Sequence, residues 1–348
     1  MYNNIIQEAC YHVMRNNILD KNLVIEAFRE IITSRNEQFR DIQLSGLFYS
    51  LVENKLNEEI VHDLILEVFK CDNFRTRSIK LEGVKNITCV AGSGKKQIKT
   101  VNISTLSAIV AASLGAMIIK PASTAFSSQM GSSELLQTLG ISLCHDPFSI
   151  EKMLQQCGIA FISIENSIPK FDAIYGGRFL TINPLSFALP ALLTPIYYDN
   201  VLFGISNKNQ ALSFKTLKKF GIENILIASS CNDHQYFIDE MGLFENNYYT
   251  SSKNIGDSNF IVRAYHPIKD IGLNQIYNLN DLSPKSNHIE NLELLINAIS
   301  GRGNEIYIDM LSMNASAILQ VSGMVEDLRE GFTLSKASIK KKEWRLKN

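Results

Sequence analysis

The sequence predicts an α/β protein in which a small helical N-terminal domain precedes a larger α/β domain with a mainly parallel central sheet. Residues 1–70 carry apolar side chains at helical spacing, with no Gly or Pro before Gly46, as expected of a small bundle. After a charged connector at residues 71–85, short β-branched runs alternate with helical segments. This alternation is typical of parallel strands joined by helices that cover the faces of a sheet.

The helices of the N-terminal part are predicted from apolar periodicity and from start signals. Asp20 is predicted to cap the second helix and Asp41 the third, and Asn57 marks the start of the fourth. We expect residues 1–70 to form the helical domain, joined by helices from residues 166–195, and residues 71–348 to form the α/β domain.

The strands of the α/β domain are predicted from β-branched runs bounded by turn residues. They are expected at residues 87–90, 116–120, 159–164, 201–205, 224–228 and 259–263. Two closing helices are predicted at residues 292–299 and 310–322, and the basic segment 336–347 is predicted to be a solvated C-terminus.

Composition limits the function classes. The chain has 348 residues, 45% hydrophobic content and a formal net charge of −1, which are values of an ordinary globular protein with a sizeable core. A near-neutral charge argues against a nucleic-acid partner, because phosphate neutralisation needs clustered Lys and Arg. Six scattered cysteines without a C-x-x-C pair favour free thiols. With no signal peptide or bilayer-spanning run, we expect a cytoplasmic protein without membrane contact.

A small-residue loop follows the first predicted strand and indicates an anion site. Gly92, Ser93 and Gly94 let backbone N–H groups approach a ligand, and Lys95 and Lys96 follow at once. A Walker A loop is excluded, because Cys89 replaces its first glycine and Lys96 its Ser or Thr. The alternatives are a tight turn and a solvated loop with incidental lysines.

Two further segments extend the predicted anion site. Asn102, Ser104 and Thr105 open the next helix, where their alternative role is to cap its backbone. A hydroxyl-rich loop at residues 123–133 also precedes a helix and contributes Ser123, Ser128 and Ser132. Two such loops at neighbouring strand ends favour a phosphorylated ligand, because helix N-termini bind anions.

Several motifs, in order and spacing, resemble those of the anthranilate phosphoribosyltransferase family, within a glycosyltransferase group that includes pyrimidine nucleoside phosphorylases. They are NIST at residues 102–105, Lys120, SSQMGSSELLQTLG at residues 127–140, NASAIL at residues 314–319 and Glu330-Gly331. The resemblance covers nearly the whole chain. It implies a homodimer through the helical domain and phosphoribosyl pyrophosphate (PRPP) as donor, with Mg²⁺ neutralising its diphosphate. Our candidates for contact with the donor phosphates are Gly92, Ser93, Gly94, Asn102, Ser104, Thr105, Lys120 and Ser132, and the wider set of predicted substrate-binding residues adds Lys95, Lys96, Ser123 and Ser128.

The chain departs from the family's pattern at several motifs. Where the family has G-T-G-G-D, residues 92–96 read GSGKK, and where it has K-H-G-N-R, residues 120–124 read KPAST. The family's metal-binding Asp-Glu pair corresponds to Asp239-Glu240 across an insertion, or to residues 234–235 (His-Gln) without a gap. Arg178 corresponds to the arginine that grips the acceptor carboxylate. Added lysines repel a divalent cation and can contact a diphosphate directly, so we hypothesise less metal dependence, or a changed acceptor or donor.

The resulting functional prediction is transfer of a phosphoribosyl or related pentosyl group to a small aromatic acceptor, in specialised metabolism rather than tryptophan synthesis. No catalytic residue is assigned. The alternatives are a nucleoside-phosphorylase-like enzyme, a scaffold repurposed for another reaction, and a non-catalytic ligand-binding protein.

Overall fold

A computed structural model describes residues 4–15, 20–53, 56–122, 132–254 and 260–342. The N-terminal helices are α1 (Ile5–Arg15), α2 (Lys21–Thr33), α3 (Glu37–Glu53) and α4 (Glu58–Asp72). The later helices are α5 (Ile103–Ser113), α6 (Ser132–Thr138), α7 (Pro147–Cys157), α8 (Ile164–Ser167), α9 (Pro169–Tyr175), α10 (Leu189–Leu192), α11 (Gln210–Lys219), α12 (His288–Ile299), α13 (Glu305–Val321) and α14 (Leu328–Lys341).

The start signals of the N-terminal helices are correct in two of three cases. The Asp20 and Asn57 side chains accept hydrogen bonds from the backbone N–H groups of Leu23 (3.2 Å) and Ile60 (3.0 Å). The prediction for Asp41 was wrong, because α3 starts a turn earlier, where the side chain of residue 36 accepts from the N–H of residue 39. Asp41 therefore lies inside the helix, where its side chain can pair with another segment.

The segment 164–193 packs against the N-terminal helices. The Asp72 carboxylate at the end of α4 accepts hydrogen bonds from the backbone N–H groups of Lys170 (2.7 Å) and Phe171 (2.9 Å). Phe171 also contacts Phe28 of α2, with ring centroids 6.4 Å apart. These contacts agree with the predicted composition of the helical domain, whose division from the rest of the chain stays a prediction.

The sheet is mainly parallel, as predicted. Its parallel strands are β1 (Ile87–Gly92), β2 (Met117–Ala122), β3 (Ile159–Ser163), β4 (Asn200–Gly204) and β5 (Asn224–Cys231). Three antiparallel strands follow, β6 (Phe237–Ile238), β7 (Asn246–Ser251) and β8 (Arg263–Ala264). The sequence did not indicate β7, and of the strand predicted at 259–263 only residue 263 lies in β8, while residue 259 is outside the described residues.

The strand order is β3-β2-β1-β4-β5-β7-β8, with β6 paired to the end of β5. The chain builds outward from β1 through β2 and β3, and then returns to the other side of β1 with β4. This reversal leaves a crevice beyond the carboxyl ends of β1 and β4, which is where open α/β sheets bind ligands.

Helices bury both faces of the sheet. In β1, Cys89 belongs to the core shared with the N-terminal helices, whereas its neighbour Val90 belongs to the core formed with α5 and α13. In β2, Ile119 likewise belongs to the core shared with the N-terminal helices and Ile118 to the core formed with α5 and α13. Two-sided burial explains why apolar residues in these strands stand next to one another instead of alternating with polar ones.

The prediction of a solvated basic C-terminus was wrong for residues 336–341, which belong to α14. The Lys336 ammonium lies 2.6 Å from the buried Asp309 carboxylate and 2.8 Å from that of Glu305. Phe332 and Ile339 are buried on the same side of α14 as Lys336, whereas Lys340 and Lys341 are exposed, so α14 is an amphipathic helix.

The cysteine prediction is confirmed, because all six cysteines, each within the described residues, are free thiols. Over the described ranges, no helix combines the length and the apolar character that crossing a bilayer requires.

Candidate functional site

Two glycines at the carboxyl ends of neighbouring strands make room for a crossing segment. Gly92 of β1 and Gly204 of β4 are paired in the sheet. A Cβ on Gly204 would lie 1.9 Å from the carbonyl oxygen of Asp239, and one on Gly92 would lie 2.8 Å from its Oδ2. The hairpin between β5 and β6 turns the chain back over this edge, so Asp239 enters the crevice between β1 and β4.

Asp239 holds the loop that follows β1. Its Oδ2 accepts hydrogen bonds from the Gly94 N–H (2.9 Å) and the Ser93 hydroxyl (3.1 Å). The Ser93 N–H donates to the Gly204 carbonyl oxygen (2.9 Å). The sequence predicted bare N–H groups in this loop, and for Ser93 and Gly94 that was wrong: the chain's own acceptors take them. Gly94 has φ +65°, which explains the need for glycine there.

Lys96 extends between two buried carboxylates. Its Nζ lies 2.8 Å from Glu240 Oε1, 2.7 Å from Thr100 Oγ1 and 3.8 Å from Asp239 Oδ1. The Asp239 and Glu240 side chains are only 4% and 2% exposed. Burial alone would lower the pKa of Lys96, but the charges of Glu240 and Asp239 outweigh it and raise that pKa, so the ammonium stays protonated.

Lys95 points to a different part of the molecule. Its ammonium donates to the carbonyl oxygen of Phe179 and lies 5.8 Å from the centroid of the Tyr175 ring. Burial lowers the pKa of Lys95. Lys95 therefore joins the loop after β1 to the segment after α9, and the solvated-loop alternative is wrong for both lysines.

Lys120 and the start of α5 form the third side of the site. Lys120 is 4% exposed and donates to the Ser104 hydroxyl at 3.2 Å. Asn102, at the N-cap of α5, makes no capping hydrogen bond, and the buried Thr105 hydroxyl has no hydrogen-bond partner within the described part of the chain. Ser104 and Asp239 line one small cavity, so the α5 N-terminus faces the crevice. The capping alternative is not realised at Asn102, and an uncapped helix N-terminus beside a buried lysine favours an anion.

Two other predicted contacts lie farther along the chain. Ser132 is the first residue of α6, whereas Ser123 and Ser128 fall outside the described residues. Arg178 is partly exposed and forms an ion pair with Asp41 of α3. It lies next to Phe179, the residue that Lys95 contacts, so the loop after β1 and the Arg178 segment border the same region.

The two positions considered for the acidic pair are clearly separated. Residues 234 and 235 are exposed in the β5–β6 hairpin, whereas Asp239-Glu240 lie against the loop after β1. The short strand β6 lies between these two positions. The sequence analysis did not identify Gly204 and Thr100 as residues of the site. Gly204 could have been found, because it is a glycine at the end of a strand, whereas nothing in the sequence pointed to Thr100.

Asp239 and Glu240 do not fit a Mg²⁺ ion as they stand. Mg²⁺ needs near-octahedral oxygen ligands at about 2.0–2.1 Å. The space between the two carboxylates is taken by the Lys96 ammonium, which would repel a cation there. Among the described residues, no group of three or more His, Cys, Asp or Glu side chains could hold a metal ion.

The charge on Lys120 gives the first testable prediction. Burial lowers its pKa to about 8, against about 10.4 in an unfolded chain. Below pH 8 Lys120 is protonated in both the folded and the unfolded protein, and burying its charge destabilises the folded state. Between these pKa values the unfolded state binds more protons, so stability rises with pH. Replacing Lys120 by Met should remove this rise, about 2 kcal/mol between pH 7 and 9.5 in urea unfolding.

A matched control is the exposed Lys152→Met, which should leave the pH dependence as in the wild type. If Lys120→Met and the wild type differ by the same free energy at both pH values, Lys120 has an ordinary pKa and its assignment to a desolvated site is wrong.

Comparisons with known proteins agree with this geometry. The family model described as "Glycosyl transferase family, a/b domain" matches residues 85–342. An anthranilate phosphoribosyltransferase of Bacillus mycoides is 30% identical over 250 residues, 71% of this chain and 70% of that protein. One of Bacillus cereus is 29% identical over 324 residues, 89% of this chain and 92% of the other.

Solved structures show the same fold. Anthranilate phosphoribosyltransferase from Thermus thermophilus superposes with a TM-score of 0.75 at 20% identity, covering 97% of this chain and 96% of that one. The Saccharomyces cerevisiae protein, solved in complex with PRPP and Mg, gives a TM-score of 0.75 at 18% identity, covering 99% and 95%.

Proposed function

The chain belongs to the glycosyl transferase family and is an enzyme of the anthranilate phosphoribosyltransferase type, and from this premise we propose that it transfers a phosphoribosyl group from PRPP to a small aromatic acceptor. The observation that carries the proposal is the convergence of Lys96, Lys120 and the uncapped α5 N-terminus at the crevice beyond β1 and β4. Buried cations and a helix N-terminus at this place suit the phosphates of the donor. The yeast relative binds PRPP, and we extend that ligand to this chain.

The reaction would exchange one bond at the anomeric carbon. The bond from this carbon to the diphosphate oxygen breaks and its electron pair leaves with the diphosphate. The acceptor's lone pair forms the new bond, and the acceptor releases a proton to solvent. In this scheme Lys120 and Lys96 stabilise the charge that builds on the departing diphosphate, and Ser104 helps to position it. We assign no step to a metal ion, because Lys96 lies between the carboxylates implied as its ligands.

An aromatic acceptor is supported by a column of stacked rings beside the loop after β1. Phe171 stacks on Tyr175 with ring centroids 5.4 Å apart, and Tyr175 on Phe179 at 5.3 Å. Lys95 lies over the ring of Tyr175, the middle member of this column, and donates to the backbone carbonyl oxygen of Phe179. A flat acceptor stacked there would lie next to the donor site, with Arg178 as the candidate for its carboxylate. Because Asp41 pairs with Arg178, a carboxylate acceptor would have to compete with it.

A role in specialised metabolism is proposed from the altered motif after β2. Residues 121–124 read PAST where the related family has His, Gly, Asn and Arg, and Pro121 and Ala122 lie buried in β2 beside Lys120. Replacing His, Asn and Arg by Pro, Ser and Thr in this motif changes what a substrate can contact, which favours an acceptor other than that of tryptophan synthesis.

The proposal is tested by incubating the protein with PRPP and a panel of aromatic amines and carboxylates that includes anthranilate. Release of diphosphate and a product heavier than the acceptor by one phosphoribosyl group would support it, with Asp239→Ala as the impaired control. Thermal stabilisation by PRPP without turnover would favour the non-catalytic alternative. Phosphate-dependent cleavage of a nucleoside would favour the phosphorylase alternative, and no response to any phosphorylated ligand would contradict the proposal.

We also propose a homodimer formed through the N-terminal helices. Helix α3 buries Leu44 and Leu47 on one side and exposes Phe39 (38%), Ile42 (59%) and Tyr49 (58%) elsewhere. A mass in solution of twice the 39.1 kDa chain would support the dimer, and the mass of one chain would contradict it.

A cytoplasmic location is supported by the six free thiols, which suit a reducing compartment. Fractionation of cells would test that location.

A further inference from the structure

We propose that the Lys96 ammonium is a built-in cation that takes the place of a divalent metal between Asp239 and Glu240, so that the protein binds a diphosphate without a metal ion at this position. The proposal deepens the proposed function and rests on it for the identity of the anion. Its structural part, the replacement of a metal by Lys96, stands on contacts within the chain.

The first argument is geometric. An ammonium has three donors, and two of them are used on Glu240 Oε1 (2.8 Å) and Thr100 Oγ1 (2.7 Å). The third direction is open toward Asp239 Oδ1, which lies 3.8 Å away and is buried without a hydrogen-bond partner among the described residues. Lys96 therefore interacts with both carboxylates from the space that a bridging metal ion would need.

The second argument is the charge balance of the site. The side chains of Lys96 and Lys120 carry two formal positive charges and those of Asp239 and Glu240 two formal negative charges. Burial raises the pKa of Glu240, and the Lys96 ammonium beside it opposes that rise. Without Lys96 the group would carry a net negative charge and would repel a diphosphate unless a cation were recruited. With Lys96 the chain supplies this cation itself, in a buried place where its charge is weakly screened.

The third argument separates Lys96 from its neighbour. Lys95 is bonded to Phe179 and lies over Tyr175, away from the two carboxylates. Only one of the two added lysines is therefore placed to act on Asp239 and Glu240. The effect of removing them should differ accordingly.

The first test measures metal binding to the ligand-free protein, and so does not depend on the proposed function. Mn²⁺ stands in for Mg²⁺, and its electron paramagnetic resonance signal falls when it binds. We expect no Mn²⁺ to bind between Asp239 and Glu240 in the wild type, so that its signal stays unchanged. The Lys96→Ala variant should bind Mn²⁺ at least about tenfold more tightly than the wild type. The double variant Lys96→Ala with Glu240→Gln should lose the gained binding. Lys99→Ala, which removes an exposed lysine of the same loop, should behave as the wild type.

Mn²⁺ binding by the wild type that Glu240→Gln abolishes would overturn the proposal, and so would a folded Lys96→Ala protein that gains none. Since Lys96→Ala leaves two buried carboxylates without their partner and can fail to fold, the second test uses the wild type alone. Calorimetry with inorganic pyrophosphate should give affinities within about twofold of each other in EDTA and in excess Mg²⁺. Binding that is lost in EDTA would overturn the proposal. Absence of binding in both buffers would instead contradict the proposed function, and the Mn²⁺ result would still decide the role of Lys96.

Discussion

Replacing Gly204 by Ala is expected to abolish binding of inorganic pyrophosphate and to destabilise the protein by about 3 kcal/mol. The new Cβ would lie 1.9 Å from the Asp239 carbonyl oxygen and 2.6 Å from its carbonyl carbon. Both are backbone atoms, so no rotamer change can relieve the clash. Either the end of β4 or the segment with Asp239 and Glu240 must move, and the latter carries both carboxylates away from Lys96. Urea unfolding and calorimetry measure the two effects.

Gly46→Ala is the matched control for this substitution. Gly46 lies within α3, and a Cβ there would meet nothing within 4 Å. Alanine is the better helix former, so the variant should gain about 0.5–1 kcal/mol and bind pyrophosphate normally. A Gly204→Ala protein with wild-type stability and affinity would show that the observed position of Asp239 is not required for stability or for pyrophosphate binding.

The second large effect is expected from Asp239→Ala, which should lower the rate of phosphoribosyl transfer about 100-fold, the loss typical of a reacting group displaced by an ångström. The substitution removes the acceptor of the Gly94 N–H and the Ser93 hydroxyl. The loop that carries Lys96 then loses its attachment to the sheet edge. Single-turnover rates with PRPP and the best acceptor of the panel would measure the loss.

Asp239→Asn separates position from charge. An amide oxygen can still accept from Gly94, so the loop should stay in place and the loss of rate should be clearly smaller than for Asp239→Ala. Equal losses in both variants would mean that the negative charge, and not the anchoring of the loop, is what matters at Asp239.

Much of the fold could be predicted because its determinants are local. The strand positions followed from β-branched runs, and both faces of β1 are buried, as its mostly apolar segment 87–91 indicates. The exceptions involve tertiary contacts. Helix α14 packs on α13, buries Phe332 and Ile339, and pairs Lys336 with the buried Asp309, and a run of lysines alone cannot show these contacts.

The site was predictable in its position but not in its bonding. Gly92 and the N-terminus of α5 lie at the crevice as expected. The Gly94 N–H, which was predicted to bind an anion, instead donates to the Asp239 carboxylate. The sequence left the acidic pair undecided between residues 234–235 and Asp239-Glu240, because only the fold shows which of them lies against the loop after β1. The sequence also could not distinguish the two adjacent lysines, although Lys95 binds the Phe179 carbonyl oxygen and Lys96 binds the Glu240 carboxylate.

The most direct test of a metal-free diphosphate site is a crystal structure of the protein grown with inorganic pyrophosphate and Mn²⁺. Anomalous scattering locates the metal independently of the anion. We expect pyrophosphate beside Lys96, Lys120 and the N-terminus of α5, with Lys96 still bonded to Glu240 and no anomalous peak between Glu240 and Asp239. A manganese ion between those carboxylates, with Lys96 displaced from them, would contradict this account.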